Sequence, residues 1–424
     1  MHPAWWVAAV AALTITVTGA LSALPGLLVD PLHREFGWSR GSIGFAVSVN
    51  MVLYGLTAPF AAALMDRFGI RRVAAAALAT MATGAAFTPL MTAAWQLTLY
   101  WGLLVGLGTG SLAMAFAATV TQRWFVRRRG LATGLLASAG VVGQTVFLPG
   151  LAWITDHHGW RPAVVTVALA ALAVLPPAVA LLRDHPADAG LAPYGATAPV
   201  PRPAPVPGAA RRALRVLRTA ARGGAFWLLT AAFAACGAST NGVLWTHFTP
   251  AAHDHGMPVT VAATLLAAIG LCNIGGTVAS GWLTDRSDPR RLLAAYFAGR
   301  GVLLVSLPVL LAPEVRPPMV GFVVLFGLLD LATVPPVLAL CREHFGADSA
   351  VVFGWVSAGH QLGAAATAFL GGVARDVFGS YDVLWAAVGA LCGLAAVVSL
   401  LVRRPAAQTG VICRSAQRVV RTGP

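Results

Sequence analysis

The sequence contains no lysine and few charged residues of either sign. Charged side chains make up 10% of the 424 residues, and all 29 basic residues are arginine. A soluble domain carries about 25% charged residues, so this composition excludes an ordinary cytosolic enzyme and a disordered chain. None of the five cysteines has metal-ligand spacing and four lie in or beside apolar runs, which predicts small core residues rather than a disulfide framework.

Long apolar runs take the place of charge. Hydrophobic residues make up 58% of the chain, and its mean hydropathy is +0.75. A membrane-spanning helix needs about 20 apolar residues, whereas a transmembrane β-barrel would alternate apolar and polar residues within segments of about ten. The runs therefore predict an all-α membrane protein. Its twelve spans are expected at 5–29, 41–65, 73–93, 95–121, 130–153, 161–182, 225–250, 258–284, 292–312, 317–341, 349–373 and 381–402.

The arginines are concentrated on one side of the predicted membrane. If both termini lie on the same side, the segments on that side hold 23 arginines and the opposite segments hold five. The remaining one, Arg300, lies within a span. Because cytoplasmic loops carry the excess of basic residues, the pattern predicts a multi-pass protein of the cytoplasmic (inner) membrane with both termini in the cytoplasm.

The two groups of six spans repeat one charged loop at an offset of 219 residues. The first copy consists of Asp66, Arg67, Arg71 and Arg72, and the second of Asp285, Arg286, Arg290 and Arg291. The same offset relates Arg123 to Arg342. Parallel six-helix repeats are typical of transporters in which two bundles rock around a central site.

The repeat defines four regions of the chain. We expect an N-terminal six-helix bundle at 1–182, a Pro/Arg-rich cytoplasmic linker at 183–224, a C-terminal six-helix bundle at 225–402 and a cytoplasmic tail at 403–424. The linker ends in a basic amphipathic stretch, RRALRVLRTAARGG, which is a pattern suited to an anionic membrane surface.

The charged loops carry a resemblance to a known family. The loop ALMDRFGIRR (63–72) resembles the signature loop of the major facilitator superfamily, and GWLTDRSDPRR (281–291) resembles its degenerate second copy. The stretches FGWSRGSIG (36–44) and RWFVRRRGLATGLLASAGVVG (123–143) resemble the monocarboxylate transporter and oxalate/formate exchanger branch. The resemblance implies the major facilitator fold, with two pseudo-symmetric six-helix bundles. It also implies a carrier of small organic anions by proton symport or by exchange.

In that superfamily the loop controls conformational exchange, so its eight charged residues are expected to form a latch. The charge pattern predicts that Asp66 caps a helix N-terminus and pairs with the Arg127–Arg129 cluster.

The chain departs from the branch at three places. Monocarboxylate carriers typically place an Asp and an Arg one turn apart on helix 8, where this chain has Asn273 and Thr277. Exchangers carry a lysine on helix 11, where this chain has His360, and an acidic-Gly pattern of helix 1 is replaced by Thr18-Gly19. Two other functions therefore stay open: proton-coupled efflux of a hydrophobic, drug-like compound, and a non-transporting membrane sensor on the same fold.

Two charged residues lie deep in the predicted spans. A charge in mid-bilayer costs at least about 2.5–3.5 kcal/mol on insertion scales, so Arg300 and Asp330 are expected to lie at similar depth and to pair. Two interpretations are open, a structural ion pair and a site where Asp330 takes up a proton while Arg300 binds an anion. Asp330 also precedes Pro335-Pro336, whose missing N–H groups free backbone carbonyls in the preceding turn.

Single polar residues complete the candidate site for substrate and proton coupling. His360 on span 11 can change its protonation near neutral pH and can donate to a carboxylate. The others are Asn241 on span 7, Asn50 on span 2 and Gln144 on span 5, with hydrogen bonds between neighbouring helices as the alternative role. Trp245 and His247 are expected to be anchors at the membrane interface.

No Ser/His/Asp grouping, zinc spacing or ATP-binding signature occurs in the sequence. We therefore expect a protein that is not an enzyme and that uses no cofactor or metal. Its expected partners are a small organic anion, protons or a counter-substrate, and the lipid bilayer; nucleic acid is not expected, and the chain is expected to act as a monomer.

Overall fold

The computed structural model describes residues 2–198, 200, 208–284 and 286–403. Over these residues the chain is helical, and its strand-type pairing is an isolated bridge between Phe125 and Tyr194. The α-helices are α1 (Pro3–Ala23), α2 (Pro25–Phe36), α3 (Arg40–Phe68), α4 (Ile70–Phe87), α5 (Ala94–Leu97), α6 (Gly106–Ser111), α7 (Met114–Trp124), α8 (Arg129–His158), α9 (Trp160–Leu181), α10 (Ala209–Ala220), α11 (Gly224–Gly237), α12 (Leu244–Asp254), α13 (Val259–Thr284), α14 (Pro289–Leu310), α15 (Pro317–Asp330), α16 (Val334–Phe345), α17 (Ser349–Phe378) and α18 (Asp382–Leu401). Two π-helical segments, Thr98–Val105 and Ala238–Gly242, connect neighbouring helices.

Helices occupy the positions of all twelve predicted spans. In the described part of the chain, ten segments are long and apolar enough to cross a membrane, and the bent pair α10–α11 makes eleven. The remaining long helix, α17, has 30 residues and packs against α3 and α11. The first helical segment runs to Phe36, beyond the expected end at residue 29, because α2 continues after a break at Leu24.

Four spans are broken, and the breaks follow the internal repeat. α1 and α2 meet at Leu24, and α12 begins after Val243, 219 residues later. α6 ends at Ser111 and α15 ends at Asp330, again 219 residues apart. Of the breaks after Ser111 and Asp330, only the one after Asp330 is followed closely by prolines. The break after Asp330 therefore belongs to the repeated architecture and does not depend on Pro335-Pro336 alone.

The charged loops lie together at one face of the molecule, called the arginine-rich face here. In the first half, Arg123 contacts Asp66 and the carbonyl of Asp184. In the second half, Arg290 donates to the carbonyl of Val402 at 3.2 Å. These contacts join the ends of spans 2, 4 and 6 in the first half, and the start of span 9 to the end of span 12 in the second, as the predicted topology requires.

The apolar side of the amphipathic linker helix α10 packs against α3 and α17. The helix is bent by 103° from α11. Its apolar residues Ala213, Val216 and Ala220 are buried, and the Trp355 indole N–H of α17 donates to the Ala213 carbonyl at 3.1 Å. The basic residues Arg211, Arg215 and Arg218 are exposed, so the contact of this stretch with an anionic membrane surface stays a prediction.

The cysteines are core residues, as predicted for those that are described. Cys236, Cys341 and Cys392 are buried, and Cys272 is half-buried, all as free thiols. Cys413 lies outside the described residues.

Candidate transport site

Arg300 of α14 is completely buried and caps the broken tenth span. Its Nη2 donates to the carbonyl oxygens of Leu329 (2.7 Å) and Asp330, which form the last turn of α15. Its Nη1 donates to Ser239 Oγ at 3.0 Å and contacts Cys236 Sγ at 3.2 Å. The last carbonyls of a helix lack partners within the helix and attract cations. The buried Arg300 guanidinium therefore stabilises the end of α15 at the break after Asp330.

Arg300 and Asp330 therefore meet through the backbone, and the predicted pairing of their side chains is corrected. Among the described residues, no ion pair within 4 Å joins the Arg300 guanidinium to the Asp330 carboxylate. The carbonyl of Ala332, which the following prolines free, accepts from Ser280 Oγ of α13 at 2.5 Å. Sequence reasoning located the break but not these donors, since they come from other helices.

The Asp330 carboxylate is buried and only partly hydrogen-bonded. The side chain is 1% exposed, and its Oδ2 accepts from the Asn273 amide at 2.9 Å. Its Oδ1 and the Asn273 Oδ1 have no partner with hydrogen-bond geometry in the described chain. The Trp245 indole and the His360 imidazole also interact with this carboxylate. A protonated carboxyl here could donate from the oxygen that now lacks a partner.

His360 joins the same group from α17. Its ring packs against the Phe233 ring with 4.8 Å between centroids, and its Nδ1 is buried without a described partner. It also interacts with Cys236, whose Sγ lies 3.2 Å from Thr333 Oγ1. Five residues from five spans thus form one group, called the polar cluster below: the buried Cys236, Asn273, Arg300 and Asp330, and the half-buried His360.

The other predicted candidates lie apart from the polar cluster. Asn50 Nδ2 donates to the Trp101 carbonyl at 2.9 Å, which supports the packing role for this residue. Gln144 on α8 is half-buried, and so is Asn241, whose carbonyl accepts from Thr246 Oγ1 at 2.7 Å within the seventh span. The geometry therefore brings only Asp330, His360 and Arg300 of the six candidates together.

Trp245 and His247 do not lie at the membrane interface. His247 is 1% exposed, and its Nε2 lies 3.0 Å from the Ala368 carbonyl of α17. Trp245 is half-buried and faces the Asp330 carboxylate. The expectation of interface anchors is wrong for both, because the break at Val243 turns this part of α12 toward the interior.

A cavity of about 870 Å³ opens at the arginine-rich face within the second half, between α13, α16 and the start of α14. Its lining includes Thr277 of α13 and Val334 and Pro335 of α16. Thr277 Oγ1 donates to the Asn273 carbonyl at 2.7 Å, and Val334 directly follows the break after Asp330. The cavity therefore ends within one helical turn of the polar cluster.

The first charged loop is held by a residue that sequence reasoning missed. Asp66 pairs with Arg123 at 2.5 Å rather than with Arg127 or Arg128, and the Arg129 side chain lies outside the described part. The amide of Arg71, in the first turn of α4, donates to Asp184 Oδ1 at 2.9 Å. Asp184, not Asp66, therefore caps this helix. Its only signal in the sequence is an acidic residue just after span 6.

The residue before α4 is Gly69, which has no side chain to cap the helix, so the cap comes from Asp184, which is far away in the sequence. Gly69 has φ +88°, and a Cβ there would lie 2.2 Å from the Asp184 carboxylate. The equivalent position in the second half is Asp288, which caps α14 itself through the Arg290 amide at 3.0 Å and pairs with the Arg290 guanidinium at 2.6 Å.

The remaining residues of the predicted latch make no contact between the halves in the described chain. Arg286 lies over the Trp282 ring at 4.3 Å. Arg67, Arg72 and Arg291 are exposed. Asp285 lies outside the described residues.

The face opposite the arginines is closed by a contact between the two halves. The carboxylate of Asp376, near the end of α17, accepts from the amides of Arg40 (3.1 Å) and Gly41 (2.8 Å), which begin α3. Farther along the same seam, Ser48 Oγ donates to the Ala365 carbonyl at 2.5 Å. A carboxylate at a helix N-terminus binds unpaired amides and is favoured by the helix dipole, so Asp376 fastens α3 of the first half to α17 of the second.

Replacing Asp376 with Ala should loosen this seam. A lost N-terminal cap costs about 0.5–2 kcal/mol, so amide hydrogen exchange in the first turn of α3 should become about 2- to 30-fold faster. Exchange followed by mass spectrometry on peptides covering 38–48 measures it, with Asp382→Ala, at the exposed start of α18, as the control. Unchanged exchange in Asp376→Ala would show that the contact adds nothing to closure.

Two halves with matching helix breaks, joined by contacts at one face, form the architecture of a membrane transporter. The chain belongs to the major facilitator superfamily, whose family model matches residues 7–351 and 239–412. This agrees with the resemblance carried by its charged loops.

Similar proteins include several carriers of organic anions. Monocarboxylate transporter 13 of Bos taurus is 27% identical over 84% of this chain and 80% of its own length, and human monocarboxylate transporter 11 is 28% identical over 91% and 80%. A gallate transporter of Pseudomonas putida is 29% identical over 72% of this chain and 70% of its own. The inward-open xylose transporter of E. coli has the same fold, with a TM-score of 0.72 at 15% identity over 98% of this chain and 99% of that one.

Proposed function

We propose that the protein carries a small monocarboxylate-like anion across the cytoplasmic membrane by alternating access, together with a proton held by Asp330. The observation behind the proposal is the buried Asp330 carboxylate, which has one oxygen on Asn273 and one oxygen without a partner in the described chain. Ionisable groups inside a membrane protein commonly mark proton or substrate pathways. The similarity to monocarboxylate and gallate carriers supports an organic anion as the substrate.

Charge repulsion would couple the proton to the anion. Two negative charges repel each other strongly in a site of low dielectric, so a substrate carboxylate binds beside Asp330 when Asp330 is protonated. By linkage, the bound anion strengthens proton binding by the same factor. The proton and the anion therefore favour each other's binding, which is the coupling that symport requires.

The position of Asp330 also accounts for the departure at helix 8. In the monocarboxylate branch an acidic residue is expected where this chain has Asn273, and Asp330 of α15 lies 2.9 Å from the Asn273 amide. Asp330 therefore supplies a carboxylate beside that position from a neighbouring span. Arg300 contributes its charge nearby, but its Nη groups are occupied by carbonyls and by Ser239, so we assign it to positioning the broken helix.

The same proposal includes the orientation and organisation of the chain. The arginine-rich face is cytoplasmic, with the linker and both termini on that side, in keeping with the distribution of basic residues. The bundles at 1–182 and 225–402 act as the two moving bodies of a monomer. The cavity at the arginine-rich face then gives the polar cluster access to the cytoplasm, while Asp376 closes the outside.

Uptake into liposomes tests the proposed function. Purified protein should take up labelled lactate, pyruvate or formate saturably, and an inward proton gradient of one pH unit should raise the accumulated amount by up to about tenfold, the limit for one proton per anion. Labelled oxalate is tested in the same way, to detect a carrier that exchanges one anion for another. Exchange that is insensitive to pH would replace symport with antiport, and no uptake of any of these anions by folded protein would leave efflux of a hydrophobic compound as the better hypothesis.

A further inference from the structure

Two repeat-related helices meet at the outer face, which is the face opposite the arginine-rich face. α2 and α12 follow the matching breaks at Leu24 and Val243, and they pack against each other, one from each half. Gly26 of α2 lies 219 residues before Trp245 of α12, and a Cβ at Gly26 would lie 2.8 Å from the Trp245 carbonyl oxygen. Equivalent positions of the two halves thus contact each other, which places this contact at the pseudo-twofold axis.

Farther out on the same helices, an arginine contacts a histidine across the axis. Arg34 Nη2 lies 2.5 Å from His253 Nε2, and these positions are again 219 residues apart. A guanidinium donates hydrogen bonds but cannot accept them, so His253 Nε2 accepts with its lone pair. His253 is therefore neutral in this contact and carries its proton on Nδ1, which is buried without a described partner.

A second proton on His253 is incompatible with this contact. The proton would lie on Nε2, so the Arg34 N–H groups would lose their acceptor and two cations would face each other. Histidine is the side chain whose ordinary change of charge falls between pH 5 and 8. The contact between the two halves should therefore weaken in mild acid.

The other histidines of this region would keep their contacts when protonated. His33, His247 and His255 each have a ring nitrogen 2.7–3.0 Å from a backbone carbonyl oxygen. A carbonyl oxygen only accepts, so that nitrogen already carries a proton and still donates after the ring gains a second one. His253 differs from them because its described partner is a donor.

The acidic groups around His253 are already engaged. The charged and titratable side chains of the surrounding elements are Asp30, His33, Arg34 and Glu35 of α2, Arg40 of α3, His247, Asp254 and His255 in or beside α12, Arg375 and Asp376 of α17, and Tyr381. Asp30 pairs with Arg40 at 2.9 Å, and Asp254 pairs with Arg375 at 2.7 Å. Glu35 pairs with Arg161, and Asp376 binds the first amides of α3. α13 also packs against α12 and has no charged side chain or histidine in residues 259–284.

We propose that the Arg34–His253 contact is a proton-operated gate between the two halves. Acid on the outer side protonates His253, breaks its hydrogen bond with Arg34 and favours separation of α2 from α12. At higher pH the neutral ring accepts from Arg34 and favours closure. In a proton symporter this gate opens the carrier toward the side from which protons are taken up. The inference rests on the proposed orientation and alternating access, and it does not depend on the identity of the substrate.

Amide hydrogen exchange tests the gate without any substrate. The parent protein for all comparisons is the Asp330→Asn variant in lipid nanodiscs, so that the proposed proton site does not contribute. Exchange is followed by mass spectrometry at pH 7.5 and pH 5.5 on peptides covering 26–33 and 244–252, which contain neither gate residue. Each rate is divided by that of the same peptide in His253→Gln at the same pH, so that the effect of pH on the exchange chemistry cancels.

The parent protein should differ from His253→Gln only in acid. The glutamine side chain offers Arg34 an acceptor and gains no proton, so its gate stays closed at both pH values. At pH 7.5 the two proteins should exchange at the same rate. At pH 5.5 the parent should exchange about 3- to 10-fold faster, since a typical hydrogen bond contributes about that factor to an equilibrium. Arg34→Gln should also abolish the acid response, because a glutamine can donate to the neutral ring and accept from the protonated one.

His255→Gln is the matched control. His255 lies two residues beyond His253, and its Nδ1 contacts the Ala251 carbonyl of the same half at 2.8 Å, so this variant should keep the full acid response. Equal exchange of the parent and His253→Gln at pH 5.5 would overturn the gate, and so would loss of the response in His255→Gln. If His253→Gln folds poorly, an acid response that persists in Arg34→Gln overturns the gate instead. Uptake by the wild type is measured separately, so the gate and the proposed function can fail independently.

Discussion

Asp330→Asn should abolish proton-driven accumulation of the substrate while leaving exchange of substrate across the membrane. The amide has the shape of the carboxyl group and can still bond to Asn273, so the broken span keeps its local contacts. It cannot take up or release a proton, so a proton gradient no longer does work on the substrate. The measurement is uptake into liposomes at equal pH and under an inward proton gradient, followed by exchange of labelled for unlabelled substrate.

Under a gradient of one pH unit, the expected loss in gradient-driven accumulation is up to about tenfold, since one pH unit is worth about 1.36 kcal/mol for a single proton. Exchange should also lose the pH dependence that Asp330 confers. Asp382→Asn, at an exposed acidic residue of α18, should behave like the wild type. Gradient-driven accumulation that survives in Asp330→Asn would assign proton coupling to another group, with His360 the next to be replaced.

Replacing Arg300 with Met should destabilise the fold far more than replacing Asp330 with Asn. The methionine fills much of the volume but leaves the carbonyls of Leu329 and Asp330 without donors inside the membrane-spanning region. Removing one member of a buried charged network costs about 3–5 kcal/mol, a large share of the stability of a typical protein. The yield of monodisperse protein after extraction and its melting temperature measure the loss.

The double variant separates two roles for Arg300. If Arg300 mainly caps the helix, Arg300→Met with Asp330→Asn stays as unstable as Arg300→Met alone, because the carbonyls still lack donors. If Arg300 mainly neutralises the Asp330 carboxylate, the double variant recovers most of the stability. The contacts of the guanidinium favour the first result, and recovery in the double variant would contradict it. Arg300→Lys should lie between, since an ammonium keeps the charge but not the planar pair of donors.

The architecture could be predicted from the sequence because the membrane requires long apolar runs for the spans and because arginines concentrate in the loops on one side. The twelve spans, the repeat at 219 residues and the family followed from these patterns, and helices occupy all twelve positions. Even the breaks obey the repeat, although the prolines do not: Pro25 follows the break at Leu24 and Pro335-Pro336 follow the break after Asp330, without prolines at the repeat-equivalent positions 244, 116 and 117. The span ends were less accurate, since α2 remains helical to Phe36 through residues that carry charge.

The contacts of the charged residues could not be predicted in the same way. Arg300 and Asp330 were correctly expected to be neighbours, but the donor geometry depends on how α14 crosses the end of α15. Asp184 was missed because its partner, the Arg71 amide, lies 113 residues earlier and leaves no pattern in either segment. Trp245 was placed at the interface because aromatic residues near a span end usually lie there, and only the bend at Val243 turns it inward.

The burial of Arg300 beside Asp330 has a consequence for how the carrier responds to voltage. In the proposed cycle the empty carrier moves with one guanidinium and one carboxylate, which sum to zero. The loaded carrier moves with the guanidinium, a neutral carboxylic acid and one substrate anion, which also sum to zero. A unit charge crossing a membrane gains or loses about 2.3 kcal/mol per 100 mV, but neither the empty nor the loaded carrier has a net charge at this site. Transport would then be electroneutral, driven by concentration and pH alone.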